Sequence, residues 1–160
     1  IYPQQYQCLM NSSIGQSMDS LYAALWGEDE VAVRRVTREW VNWTSQVALG
    51  EAYQAEKQPE HITEKMVAQV RMELYYAKQH YFISENKILD HCDGLQDIPT
   101  VIVHGQYDFV CPMAAGFSLS KALPQAEYKV LAQAGHIAQG EEMIDALVTA
   151  TDQMVVRLKT

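Results

Sequence analysis

Basic residues are scarce in this chain: 12 Lys and Arg stand against 20 Asp and Glu, a formal net charge of −8 over 160 residues. A phosphate backbone is held by clustered cations, and apart from Arg34-Arg35 the basic residues here are scattered, which excludes nucleic acid as a partner. Apolar residues make up 48%, enough for a sizeable core. No run approaches the roughly 18 to 20 consecutive apolar residues of a membrane span, so no membrane association is expected. Cysteine is limited to Cys8, Cys92 and Cys111, an odd number at no regular spacing. A disulfide framework is therefore not expected, and a reducing, cytoplasmic setting is the simpler reading. There is no internal repeat or low-complexity run, and the first residues lack the charged and apolar pattern of a signal peptide.

The residues that are present divide into two patterns. Up to about residue 90, Val33, Val36, Trp40, Trp43 and Val47 recur at three- and four-residue intervals, one apolar stripe of a helix. Ile62, Met66, Val70, Leu74 and Ala77 form a second stripe, with Thr63 placed to cap it. Residues 54–60, with Pro59, read as a loop between these helices, and the polar Asp90-His-Cys-Asp-Gly94 as the join to the second region. From Ile98 strands and helices alternate: a buried strand over 100–104 ended by Gly105, a helix near 113–123 closed by Pro124, a strand over 127–131, and a helix from Glu141 to Arg157. This second region, 91–160, has the order of a parallel α/β sheet.

Two side chains of that region carry chemistry. Asp108 follows the first strand in Ile98-Pro-Thr-Val-Ile-Val-His-Gly-Gln-Tyr-Asp108-Phe-Val-Cys-Pro112, and His136 follows the second in Gln133-Ala-Gly-His136. Open α/β sheets build their sites on neighbouring strand-end loops of this kind. A carboxylate that fixes the tautomer of an imidazole makes the imidazole a general base, so Asp108 and His136 read as two thirds of a catalytic triad.

The stretch Ile98 to Pro112 together with Gly135-His136 resembles the carboxyl-terminal part of α/β-hydrolases, and most of all the proline iminopeptidases, or prolyl aminopeptidases. Gln106 stands where that family has arginine. Trp40-Val-Asn-Trp43, His80-Tyr-Phe82 and Tyr2-Pro3 fall where the family has similar stretches in its helical cap. The resemblance implies a cap or lid at 1–90, the end of an α/β-hydrolase core at 91–160, and a serine peptidase that releases amino-terminal proline through an acyl-enzyme, with no cofactor. It also implies that Cys111 lines the substrate pocket and that Phe82 packs beside the proline ring. In the family, cap glutamates hold the substrate's free amino group. The matching positions here are Thr44 and Lys78, so that device is expected to be lost, with Lys78 free to attract a carboxylate.

Such hydrolases place the serine on a Gly-x-Ser-x-Gly turn upstream of the acid. Gly15-Gln-Ser17-Met-Asp19 lacks the last glycine, and Gly116-Phe-Ser118-Leu-Ser120 comes after the acid in a helical stretch. Because Ile1 falls where the cap would begin, the expectation is a portion of a longer enzyme whose amino-terminal half carries the nucleophile and oxyanion hole. The chain by itself would then be inactive. Three alternatives stay open: a capped esterase or amidase of other specificity, a non-catalytic piece that self-associates into a homo-oligomer through an unpaired sheet edge, and a nicked enzyme whose other half accompanies it. His91-Cys92-Asp93 offers three ligand types, but adjacent residues converge poorly on one ion and no partner pair has zinc-type spacing, so no metal is expected.

Overall fold

The computed structural model describes residues 17–54 and 60–159. Tyr2-Pro3, Cys8 and most of the loop read over residues 54–60 lie outside the described residues. The chain divides into two compact units, with the cut between Ser84 and Glu85 and Ala48–Gly50 grouped with the second.

The first unit is helical: α1 (Met18–Trp26), α2 (Glu30–Leu49) and α3 (Glu64–Lys78). Ser17 caps α1 by accepting the Ser20 amide at 3.1 Å, and Thr63 caps α3 by accepting the Met66 amide at 3.3 Å, so both starts follow ordinary capping chemistry. The two apolar stripes meet in one core of Leu21, Leu25, Val33, Val36, Ile62, Val67, Val70 and Leu74, with Trp40 and Met66 packed against it. Polar groups close its edges. Arg71 donates to the Leu25 carbonyl at 2.8 Å and stands over the Trp26 ring, while Arg34 donates to the Ile62 carbonyl at 2.7 Å. After α3 the chain makes one left-handed turn, His80–Phe82, with φ of +50°, +55° and +57°. None of the three is glycine, and each such residue costs about 1–2 kcal/mol relative to the right-handed region.

The second unit contains the parallel pair β1 (Val101–Gly105) and β2 (Glu127–Leu131), joined by α4 (Met113–Ala122) and followed by α5 (Glu141–Arg157). Val101 pairs with Glu127 and Gly105 with Leu131. Leu123, restricted by Pro124, leaves the helical region (φ −121°, ψ 79°) and ends α4. The sequence placed a buried strand over 100–104 stopped by Gly105. The strand instead includes Gly105 and is half-buried at Val101 to His104, because among the described residues β1 has a neighbour on one side alone. The result is a two-stranded parallel part of an α/β fold, with α4 and α5 packed on β1. No described helix is long and apolar enough to cross a membrane.

Candidate active site

The strand-end loops of β1 and β2 are tied to each other by backbone. The Gln106 amide donates to the Leu131 carbonyl at 2.8 Å and the Tyr107 amide to the Ala134 carbonyl at 3.0 Å. This approach is close enough that a Cβ on Gly105 would stand 2.5 Å from the carbonyl oxygens of Ala134 and Gly135. Glycine at 105 lets the two loops touch.

That contact brings together the two residues that the sequence singled out. His136 Nδ1 lies 3.1 Å from both carboxylate oxygens of Asp108. An ionised carboxylate only accepts, so Nδ1 carries the proton and Nε2 is left as the basic nitrogen. Asp108 is itself fixed: its Oδ1 accepts the Val110 amide at 3.0 Å and the Cys111 amide at 2.7 Å. The Asp108 side chain is 10% exposed and that of His136 32%, so the carboxylate is shielded while the imidazole reaches solvent. Such a pair can take a proton at Nε2 and hold the resulting imidazolium.

His104 supports the loop from below. Its Nε2 lies 2.8 Å from the Cys111 carbonyl, which can only accept, so this nitrogen is protonated; it also lies 3.9 Å from Asp108 Oδ2. Room for its ring comes from Gly116 in α4, where a Cβ would stand 2.5 Å from His104 Nδ1.

Cys111 sits beside the pair, and burial first, then the negative charge of Asp108, push its thiol pKa above the ordinary value. A raised pKa lowers the thiolate fraction at any given pH, which opposes a nucleophilic role. Iodoacetamide at pH 8 is therefore expected to alkylate Cys111 more slowly in the folded chain than in urea, read by mass spectrometry; equal rates would contradict this. Among the described residues, donor atoms of Asp108, Cys111 and His136 lie within 4.8 Å of one another and could hold a metal ion. His91, Cys92 and Asp93 do not converge: His91 Nδ1 donates to the Lys87 carbonyl, Cys92 is buried against the Ile88 carbonyl, and Asp93 accepts from Gln96.

The remaining singled-out residues lie in the first unit. Thr44 donates back to the Trp40 carbonyl at 3.0 Å. Lys78 pairs with Asp19 at 2.9 Å and stands over the Tyr22 ring, so its charge is already met. Phe82, 59% exposed, leans on Tyr75 and Tyr76. Ser17 is occupied as the α1 cap, and Ser118 lies within α4.

One supporting residue escaped the sequence reading. Glu142, in the first turn of α5, accepts the Ala132 amide at 3.0 Å with one oxygen and the Gln133 amide at 2.8 Å with the other. It clamps the loop that leads to His136. Two acidic residues opening a helix read as ordinary dipole complement, and no spacing in the sequence marks the loop amides as their partners. Glu142→Ala is expected to lower stability by about 1 kcal/mol, checked by urea denaturation. An unchanged midpoint would remove the clamp.

Two parallel strands with a helical crossover make the second unit part of an α/β fold, and a carboxylate–imidazole pair stands on their adjoining carboxyl-terminal loops, where such folds build their sites. No family model matches the chain. Individual relatives do. It is 31% identical to the proline iminopeptidase of Neisseria meningitidis serogroup A over 168 aligned residues, covering 99% of this chain and 51% of that protein. It is 34% identical to the proline iminopeptidase of Xylella fastidiosa strain 9a5c, covering 86% and 44%, and 29% identical to the probable proline iminopeptidase of Leptolyngbya boryana, covering 98% and 50%. The family this chain matches is that of the proline iminopeptidases, and the part it matches is their carboxyl-terminal portion. It spans about half the length of these relatives.

Proposed function

We propose that this chain supplies the acid and the base of a prolyl aminopeptidase-like serine hydrolase of the α/β-hydrolase class, in which Asp108 and His136 are catalytic. The observation that carries the reading is the 3.1 Å contact of His136 Nδ1 with Asp108, on a loop pair closed over Gly105. The substrate is a small peptide or amide. A serine outside these 160 residues forms a bond to the carbonyl carbon while its hydroxyl proton passes to His136 Nε2. Asp108 holds the imidazolium, the proton is returned to the departing amine, and water repeats the sequence to release the acid. Cys111 lines the pocket as a protonated thiol. Residues up to about 90 form the cap and 91–160 the end of the hydrolase core. The amino-terminal half of the same enzyme is the partner of this chain.

A fluorophosphonate, which is captured by an activated serine, tests the reading. The protein that carries both halves is expected to be labelled on a serine and its His136→Ala form to be labelled far more slowly, with the 160-residue chain unlabelled. Equal labelling with and without His136 would overturn it.

A second reading rests on the outer face of α5, where Ile144 (53%), Val148 (53%) and Val155 (50%) are exposed. An uncovered apolar face of this kind favours self-association of the chain when its partner half is absent. Light scattering of the purified chain is expected to give a mass above that of the monomer, and a monomer at all concentrations would count against this reading.

A further inference from the structure

Glycine is, after proline, the least favourable residue inside an α-helix, yet Gly116 lies within α4 and is the one buried residue of that helix. An added Cβ there would stand 2.5 Å from His104 Nδ1 and 3.3 Å from Tyr128 Cε2. Both rings rise from the same face of the strand pair, because Tyr128 is the partner of Ile102, two residues before His104 in β1. Each also ends on a carbonyl where the Asp108 loop runs into α4: His104 Nε2 donates to Cys111 at 2.8 Å, and the Tyr128 hydroxyl donates to Met113 at 3.4 Å. The space that a side chain at 116 would fill is taken by two rings that hold one end of the loop.

His104 acts on Asp108 through a single residue. Cys111 accepts from His104 at its carbonyl, and its own amide donates to Asp108 Oδ1 at 2.7 Å, with the Val110 amide on the same oxygen at 3.0 Å. The His104 side chain is 10% exposed, so water offers the Cys111 carbonyl little replacement for that donor. At 3.9 Å from Asp108 Oδ2, His104 Nε2 is beyond hydrogen-bond reach and leaves the carboxylate to His136. Filling the space beside Gly116 needs no N–H. Holding the peptide that holds the acid does.

We propose that His104, seated by Gly116, is a positioning residue for the carboxylate–imidazole pair: its Nε2–H fixes Cys111, and through Cys111 the orientation in which Asp108 keeps His136 in the Nδ1–H form. Its effect on turnover rests on the catalytic reading of Asp108 and His136. Its effect on the His136 tautomer is independent of any reaction.

The test uses the 160-residue chain, labelled with ¹⁵N, at a pH of about 8.5, where an ordinary imidazole is neutral and the shifts of its two nitrogens report which one carries the proton. His136 is expected in the Nδ1–H form. His104→Leu, which keeps bulk and loses the donor, is expected to move His136 toward a mixture of tautomers, and Gly116→Ala, which displaces the ring and leaves His104 present, to do the same. His104→Gln, whose amide nitrogen reaches the same carbonyl, is expected to restore the original shifts. In the protein that carries both halves, the leucine and alanine variants are expected to lose about 10²-fold in kcat with KM unchanged, and glutamine to regain at least about tenfold of that loss. Unchanged His136 shifts in both His104→Leu and Gly116→Ala, or glutamine no better than leucine, would overturn the proposal. Where the leucine variant does not fold, the Gly116→Ala shifts decide. Absence of turnover in the parent protein would overturn the hydrolase reading alone, since the tautomer shifts still settle the role of His104.

Discussion

Turnover is expected to fall by about 10⁴-fold when His136 is replaced by alanine, or Asp108 by asparagine, in the protein that carries both halves of the proposed enzyme. The two substitutions act for different reasons. In the proposed mechanism, alanine at 136 removes the group that receives the nucleophile's proton. Asparagine at 108 keeps an oxygen for the Val110 and Cys111 amides, so the loop stays folded, but it presents an amide where His136 Nδ1–H needs a carboxylate. The imidazole is then stabilised in the wrong tautomer, and the imidazolium loses its counter-charge. Because the Asp108 side chain is 10% exposed, water replaces little of that charge interaction. Thermal midpoints should move little in Asp108→Asn while kcat collapses. Near-normal kcat in either variant would remove both residues from the reaction.

Gly105→Ala is expected to destabilise the second unit by about 3 kcal/mol, measured by urea unfolding followed by circular dichroism. The added methyl would meet backbone on the facing loop, the carbonyl oxygens of Ala134 and Gly135 at 2.5 Å and the Ala134 carbonyl carbon at 2.7 Å. Backbone cannot rotate aside as a side chain can. Relief requires the loops to part, which breaks the hydrogen bonds of the Gln106 and Tyr107 amides and draws His136 from Asp108. Stability and activity are thus lost together. Gly94 is the control: no atom lies within 4 Å of its added Cβ, so Gly94→Ala should leave the midpoint within about 0.5 kcal/mol. Equal midpoints for the two variants would mean that the loops are not closed over Gly105.

Much of the second unit was legible because local signals agree there. The β-branched run before Gly105 is a strand, the run over 127–131 is a strand with those bounds, and the helix from Glu141 to Arg157 begins and ends as read. Asp108 and His136 could be paired from sequence because each follows a strand, and parallel neighbours bring their carboxyl ends together. Both stripes of the first unit were visible for the same reason, and Thr63 proved to be the cap of α3.

Other features left no local mark. Gly105 read as a strand breaker, but its role is set by a loop nearly thirty residues later, whose approach no pattern records. The turn at His80–Phe82 contains no glycine or asparagine, so its positive φ values are hidden. Glu73 and Glu142 look like solvated charges on helices, and their partners Trp40 and the amides of Ala132 and Gln133 are contacts of the folded chain. Lys78 read as a charge awaiting a ligand, whereas Asp19 supplies its counter-charge across the helical unit.

If Asp108 and His136 serve a prolyl aminopeptidase-like hydrolase, the decisive measurement is hydrolysis of a chromogenic prolyl anilide by the protein that carries both halves. The same anilide with its proline nitrogen acylated serves as comparison. Release of the anilide from the free imino substrate, with the acylated one cleaved at least about tenfold more slowly, is the predicted result. Cleavage of neither anilide, or faster cleavage of the acylated one, would contradict it.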